Sequence, residues 1–267
     1  MDGEETDAHP VLEPAPGEFR LWPAARMRAL FPADADRDKV VRALSRTLGV
    51  DPRQLQARAV ADRAWEREWL RDFHALRFGR RLWVCPWHEQ VADPGAAVVR
   101  MDPGLAFGTG THATTALCLE WLDAHPPQAG AVVDFGCGSG VLALAALRLG
   151  ARCATCFDID PQALIATRDN ASANGLSGQV RLCDSAAAIP RGADLLLANI
   201  LSAPLVALAP DFADIVRPSG TLVLSGLMTP EIPEVTRAYD TWFDTRSFGV
   251  RESWVCLWGR RNGRPRD

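Results

Sequence analysis

No stretch of this sequence approaches the roughly 20 consecutive apolar residues that a membrane span requires. Its first residues, Met1-Asp-Gly-Glu-Glu-Thr-Asp7, are acidic where a secretory leader would be basic and then apolar. Nor is there an excess of positive charge. Lys and Arg number 29 against 33 Asp and Glu, a net charge of -4 and a pI of about 5.8. That balance excludes a global basic field of the kind that grips nucleic acid regardless of sequence. It favours a protein substrate, a basic one fitting best, and predicts a cytoplasmic protein with no membrane and no DNA partner. A metal framework is also missing: Cys153 and Cys156 have the spacing of a redox or zinc pair, but no second pair and no histidine cluster accompanies them. The seven cysteines lie mostly in apolar strand or helix patterns and read as reduced, buried thiols.

What is present centres on Val132-Val133-Asp134-Phe135-Gly136-Cys137-Gly138-Ser139-Gly140, an apolar run ending in an acid and three alternating glycines. The pattern predicts a buried strand over Ala131 to Phe135, a tight turn, and a helix over Val141 to Leu149 ended by Gly150. Glycines suit a turn that must visit positive φ while a ligand approaches the backbone. A dinucleotide fingerprint would place its third glycine at Val141, so the dehydrogenase reading loses ground. Asp134 with the compact glycine run instead resembles the first motif of S-adenosylmethionine methyltransferases. The next predicted strand, Cys153 to Phe157, runs into Asp158-Ile159-Asp160. A carboxylate about 20 residues past the glycines can hold ribose hydroxyls; Asp158 could also serve as the N-cap of a helix that begins at Pro161.

Further strands are predicted at Leu82 to Pro86, Ala97 to Met101, Val180 to Cys183, Asp194 to Asn199 and Thr221 to Ser225, with Trp254 to Trp258 as an antiparallel edge. Helices are predicted over Lys39 to Leu48, Ala61 to Ala75, Thr115 to Asp123 (amphipathic) and Pro161 to Ala173. Phe19 to Trp22 reads as a short strand, and Trp65, Trp69 and Phe73 form an aromatic stripe that reads as a docking face. In a parallel sheet, ligands sit outside the carboxyl ends of the strands, so Gly136, Asp158, Asp184 and Asn199 share one rim. The loop Met101 to Thr115 is rich in Gly and Thr. Its glycines let it bend over a ligand, and its hydroxyls can bond a small molecule or cap the following helix; His112 reads as a positioning donor rather than a base.

The segments Asp102-Pro-Gly-Leu-Ala-Phe-Gly-Thr-Gly-Thr-His112, Asp134 to Gly140, Phe157-Asp-Ile-Asp-Pro161 and Ala198-Asn-Ile-Leu201 together resemble the PrmA family, methyltransferases of ribosomal large-subunit protein eleven. The resemblance runs from about Val11 to Arg260. It implies an α/β fold, a doubly wound Rossmann-like class I methyltransferase domain joined to a small, truncated ferredoxin-like α+β domain. The implied domains are 1–58 for substrate recognition, 59–76 as a linker helix, and 77–267 for catalysis. It further implies a monomer that uses S-adenosyl-L-methionine, holds no metal, and trimethylates lysine side chains and the N-terminal α-amine of ribosomal protein eleven. Carried over, the cofactor contacts fall on Thr115, Gly136, Asp158 and Asn199, with Asp134, Gly138, Thr111 and His112 beside them, and Asn199 as the catalytic residue. Asn199 would accept amine N–H bonds and hold the lone pair toward the methyl group, as in amino-methylating relatives. Two departures stand out. Ala113 replaces a usual proline, and the family's first strand and helix, which precede the match to Val11-Leu-Glu-Pro14, are represented only by an acidic stub. The rival expectation is therefore a cofactor-binding module whose docking surface is lost or altered.

Overall fold

The computed structural model describes residues 2–3, 25–26, 28–32, 34–58, 74–101 and 112–263. The expected strand Phe19 to Trp22, the stripe Trp65 to Phe73 and the loop through Thr111 lie outside them. The chain divides into two compact units, Met1–Ala64 and Trp65–Asp267. In the first, α1 (Arg37–Leu48) starts two residues before the expected Lys39. It does so because Asp36 caps it, accepting the N–H groups of Asp38 and Lys39 at 3.1 Å each. Gly49, at φ +67°, ends it. Residues 2–3 and 25–26 form a two-residue antiparallel pair.

The second unit contains, in chain order, β1 (Leu76–Phe78), β2 (Leu82–Cys85), β3 (Ala97–Arg100), α2 (Ala113–Ala124), β4 (Ala131–Phe135), α3 (Val141–Arg148), β5 (Cys153–Phe157), α4 (Pro161–Ala173), β6 (Val180–Cys183) and β7 (Ala193–Asn199). Two short helices, α5 (Ser202–Ala207) and α6 (Ala209–Ile215), lead to β8 (Val216–Met228), α7 (Ile232–Tyr239), β9 (Phe243–Arg251) and β10 (Trp254–Arg261). β1, β2 and β3 form a small sheet in that order. The other seven strands form the main sheet in the order β9-β10-β8-β7-β4-β5-β6. β10 runs antiparallel to β8 and β9, while the β8-β7-β4-β5-β6 pairings are all parallel. The expected doubly wound α/β architecture is thus observed. One placement is corrected: Trp254 to Trp258 is antiparallel but not an edge. The edge is β9, which the sequence pattern missed because its alternation of Asp244, Arg246 and other polar residues looks like solvent-exposed loop.

The core lies on both faces of this sheet. One side gathers α2 and α3 over Val132, Leu195, Leu197 and Val223; the other gathers α6 and α7 over Val133, Leu196, Leu222 and Leu224. Strands buried on both faces read as continuous apolar runs, which is why β4, β5 and β7 were legible. α2 corrects a second expectation. It is buried on nearly every side rather than amphipathic, because the main sheet and the β1–β2 hairpin pack against it. At its last turn the buried Asp123 carboxylate accepts the backbone N–H groups of Arg80, Arg81 (3.0 Å) and Leu82 (3.0 Å), closing the hairpin turn. Asp123→Ala leaves three donors without a partner, and is expected to destabilise the unit by about 2–4 kcal/mol in urea denaturation with the m-value unchanged. No helix among the described residues is long and apolar enough to cross a membrane.

Candidate methyl-transfer site

Strand order reverses between β4 and β7, and a crevice opens outside their carboxyl ends at such a point. β4 delivers Gly136, Gly138 and Gly140 there, at φ +77°, +54° and +79°. Two of the three are also sterically required. A Cβ on Gly136 would come within 2.4 Å of Ile200 Cγ2, and one on Gly140 within 2.8 Å of Thr167 Cγ2. The turn is held from both sides. The Gly136 and Cys137 N–H groups donate to the Phe157 carbonyl (2.8 and 3.0 Å). From α4, Thr167 Oγ1 donates to the Gly138 carbonyl (3.0 Å) and Asn170 Nδ2 to the Ser139 carbonyl (2.9 Å). Sequence reasoning missed Thr167 and Asn170, whose partners lie 29 and 31 residues away.

Asp158 faces this loop. Its Oδ2 accepts the Gly138 N–H at 2.9 Å and its Oδ1 the Asp160 N–H at 3.0 Å. The α4 N-cap is Asp160, which accepts from Gln162 at 2.9 Å, so Asp158 does not fill the capping role. Beside it Ile159 stands 90% exposed, a large apolar side chain on the rim with nothing packed over it among the described residues.

Asp134 lies beneath the glycines, 1% exposed. Its Oδ2 accepts the Ala143 N–H at 2.9 Å, while Oδ1 is buried without a partner among the described residues. Burial pushes its carboxyl up to about 7, reinforced by the nearby charge of Asp158 and opposed by the Ala143 hydrogen bond. Because the folded value exceeds the unfolded 3.8, stability from this group is fully present below pH about 4 and is lost as pH rises to about 7. Between pH 4 and 8 the stability difference between Asp134→Asn and the unchanged chain is expected to move by roughly 4 kcal/mol in favour of Asn. Thermal melts of both proteins across that range check this.

The opposite wall comes from β7 and α2. Asn199, the last residue of β7, donates from Nδ2 to Thr115 Oγ1 at 3.2 Å, and among the described residues nothing bonds its Oδ1. Ser225, paired with Asn199 across β7 and β8, ties this wall together by donating to the carbonyls of Thr114 (3.3 Å) and Val255 (3.0 Å). Gly226, at φ +86°, lets β8 pass the Ile200 backbone, where a Cβ would meet the carbonyl oxygen at 2.2 Å. His112 caps α2: its Nδ1 accepts the Thr114 N–H (3.4 Å) and lies 2.8 Å from Thr114 Oγ1, and its ring meets Trp254 edge-on at 5.2 Å.

The structure therefore places Gly136, Gly138, Asp134, Asp158, Asn199, Thr115 and His112 about the carboxyl ends of neighbouring central strands. Asp184 follows β6 at the outer end of the same rim. Thr111 lies outside the described residues. Three positive-φ glycines, a carboxylate with one oxygen on the loop, and one buried oxygen without a partner among the described residues suit a small ligand that carries hydroxyls and positive charge. Among the described residues no group of three His, Cys, Asp or Glu gathers to hold a metal.

Comparison with known proteins agrees with this geometry. The sequence profile of the ribosomal protein L11 methyltransferase (PrmA) family matches residues 1–262. The ribosomal protein L11 methyltransferase of Pseudomonas aeruginosa (strain LESB58) is 48% identical over 263 residues, spanning 98% of this chain and 88% of that protein. The one from Haemophilus influenzae (strain PittEE) is 44% identical over 262 residues, spanning 97% and 88%. The crystal structure of ribosomal protein L11 methylase from Lactobacillus delbrueckii subsp. bulgaricus is 29% identical and superposes with a TM-score of 0.65, covering 71% of this chain and all of that one. With a match that begins ten residues before the expected Val11 and continues through every site residue named above, the chain belongs to the ribosomal protein L11 methyltransferase family.

Proposed function

We propose that this chain transfers methyl groups from S-adenosyl-L-methionine to amino groups of ribosomal protein L11, on lysine side chains and the N-terminal α-amine, up to the trimethyl stage. The observation that carries the reading is Asn199. Its amide is held through Nδ2 by Thr115 at the strand-order switch, with Oδ1 left as an acceptor among the described residues. The cofactor supplies a methyl group on a sulfonium, open to in-line displacement by an amine. Asp158 would hold its ribose hydroxyls, the glycine turn would accept its close approach, the orphaned Asp134 oxygen would meet a donor or positive charge, and Ile159 would cover a flat ring.

The acceptor must arrive as a neutral amine, although a lysine titrates near 10.4. Asn199 cannot take that proton. It can accept one amine N–H at Oδ1, which turns the amine's lone pair toward the methyl group, and the work of this site is then alignment and exclusion of water. The proton leaves to solvent. The relatives carry methyltransferase names across most of their length, so a module without an acceptor is not favoured. We further assign recognition of L11 to the unit that ends at Ala64.

The test is incubation of the purified chain with S-adenosylmethionine and isolated L11, followed by intact-mass analysis. Gains in steps of one methyl, ending in trimethyl groups on amines, are expected. Cofactor binding by calorimetry without any gain in mass on L11 would overturn the acceptor assignment and leave the donor site standing.

A further inference from the structure

An amine that is carried to the trimethyl stage presents this site with three different acceptors in turn. The first is a primary amine, the second a monomethylated secondary amine, the third a dimethylated tertiary amine. In their neutral forms these carry two, one and no N–H bonds.

Asn199 can serve only some of them. It ends β7 half-buried, its Nδ2 donates to Thr115 Oγ1 at 3.2 Å, and among the described residues nothing bonds its Oδ1. With the amide held by α2 through its nitrogen, what it offers an amine is an acceptor oxygen, and an acceptor needs an N–H opposite it. The polar groups beside it along the chain are already engaged. Thr114 Oγ1 lies 2.8 Å from His112 Nδ1, and the Ser202 hydroxyl bonds the Glu231 carboxylate. Between Asn199 and Ser202 stand only Ile200, whose side chain fills the space beside Gly136, and Leu201, 48% exposed. Alkyl surface of this kind suits N-methyl groups as they replace N–H bonds.

Resting on the reading of Asn199 as the group that accepts the amine N–H, we propose that this side chain serves the first two methyl transfers to each amine and has no part in the third. In every transfer the amine lone pair forms the new N–C bond while the C–S bond of the sulfonium breaks, its electron pair staying on sulfur. The first two products are ammonium ions that release a proton to solvent before they can react again. The third product, a trimethylammonium, has none to release. In the primary and secondary amines an N–H bond to Oδ1 leaves the lone pair free and sets its direction. The tertiary amine has no such bond to give. Its protonated form has one, but there the nitrogen holds no lone pair, so contact with Oδ1 would stabilise an unreactive state. Alignment of the third acceptor then falls to apolar packing and the exclusion of water.

The experiment compares two acceptors: isolated L11, and L11 whose amines have first been dimethylated with formaldehyde and a mild hydride reductant. Single-turnover transfer from labelled S-adenosylmethionine, at saturating cofactor, is measured for the unchanged chain and for Asn199→Ala. On unmodified L11 the variant is expected to lose about 10²-fold or more. On dimethylated L11 it should lose less than about threefold. Its products at partial conversion of unmodified L11, resolved by intact mass, should be depleted in dimethyl groups relative to those of the unchanged chain. Thr115→Val keeps Asn199 and is expected to repeat the split on a smaller scale, about tenfold against less than about threefold. Equal losses on the two acceptors, or a loss confined to the dimethylated one, would overturn the proposal. Two further results would instead overturn the reading it rests on, and the proposal with it. One is Asn199→Ala as fast as the unchanged chain on both acceptors, which removes the amine-holding role. The other is failure of the unchanged chain to methylate dimethylated L11, which removes the trimethyl stage.

Discussion

Asn199→Ala is expected to cut single-turnover methyl transfer to L11, measured at saturating cofactor, by about 10²-fold or more. The substitution removes a side-chain acceptor at the switch point and releases the strut to Thr115. Loss of a preoriented polar group at a reacting centre costs about 10²–10³ in rate, and a misplacement of about 1 Å costs a similar factor. Stability should change little, since Asn199 is only half-buried and ends its strand. Thr115→Val separates the two contributions. It keeps Asn199 but frees its amide to rotate, so a smaller loss, about tenfold, is expected if orientation is what Thr115 provides. Rapid-quench time courses with labelled cofactor measure both. Turnover unaffected by Asn199→Ala would remove this residue from the chemistry.

Asp158→Ala is expected to weaken cofactor binding by about 10²-fold or more in calorimetry. Each charge-assisted hydrogen bond contributes roughly 1.5–3 kcal/mol; the carboxylate orders the Gly138 N–H and, in the role proposed for it, would hold the ribose hydroxyls. Asp160→Ala is the contrast. Asp160 caps α4 through Gln162, so its loss should cost about 1 kcal/mol of stability and leave cofactor affinity close to unchanged. If the two variants lost affinity equally, the role given to Asp158 would belong to the loop as a whole.

The parts of this fold that could be read from the sequence are those governed by neighbours along the chain. The strand ending at Phe135, the three positive-φ glycines, the helix from Pro161 and the strand ending in Asn199 all follow from local pattern and turn chemistry. What could not be read depends on partners far away in sequence. Ile200 is the reason Gly136 has no room for a side chain, and the reason β8 needs Gly226 where it passes. Thr167 and Asn170 look like unremarkable polar positions on a helix until the glycine loop is laid against them. The start of α2 was misjudged because His112 serves as its cap, a role filled more often by Ser, Thr, Asp or Asn.

The position of β10 has a consequence for synthesis. It follows every other strand among the described residues, yet it lies inside the sheet, between β8 and β9. While a ribosome is still adding residues 254–261, β8 presents a long unpaired edge and β9 has no partner at all. The Val255 carbonyl that Ser225 bonds, and the Trp254 ring against His112, do not yet exist. Exposed apolar edges of this kind are where nascent chains associate wrongly. The five-stranded parallel half, with its glycine loop, can be complete before β10 is made. The wall beside Asn199 becomes whole only after β10 slides between β8 and β9, so this side of the methyl-transfer site is assembled last among the described strands.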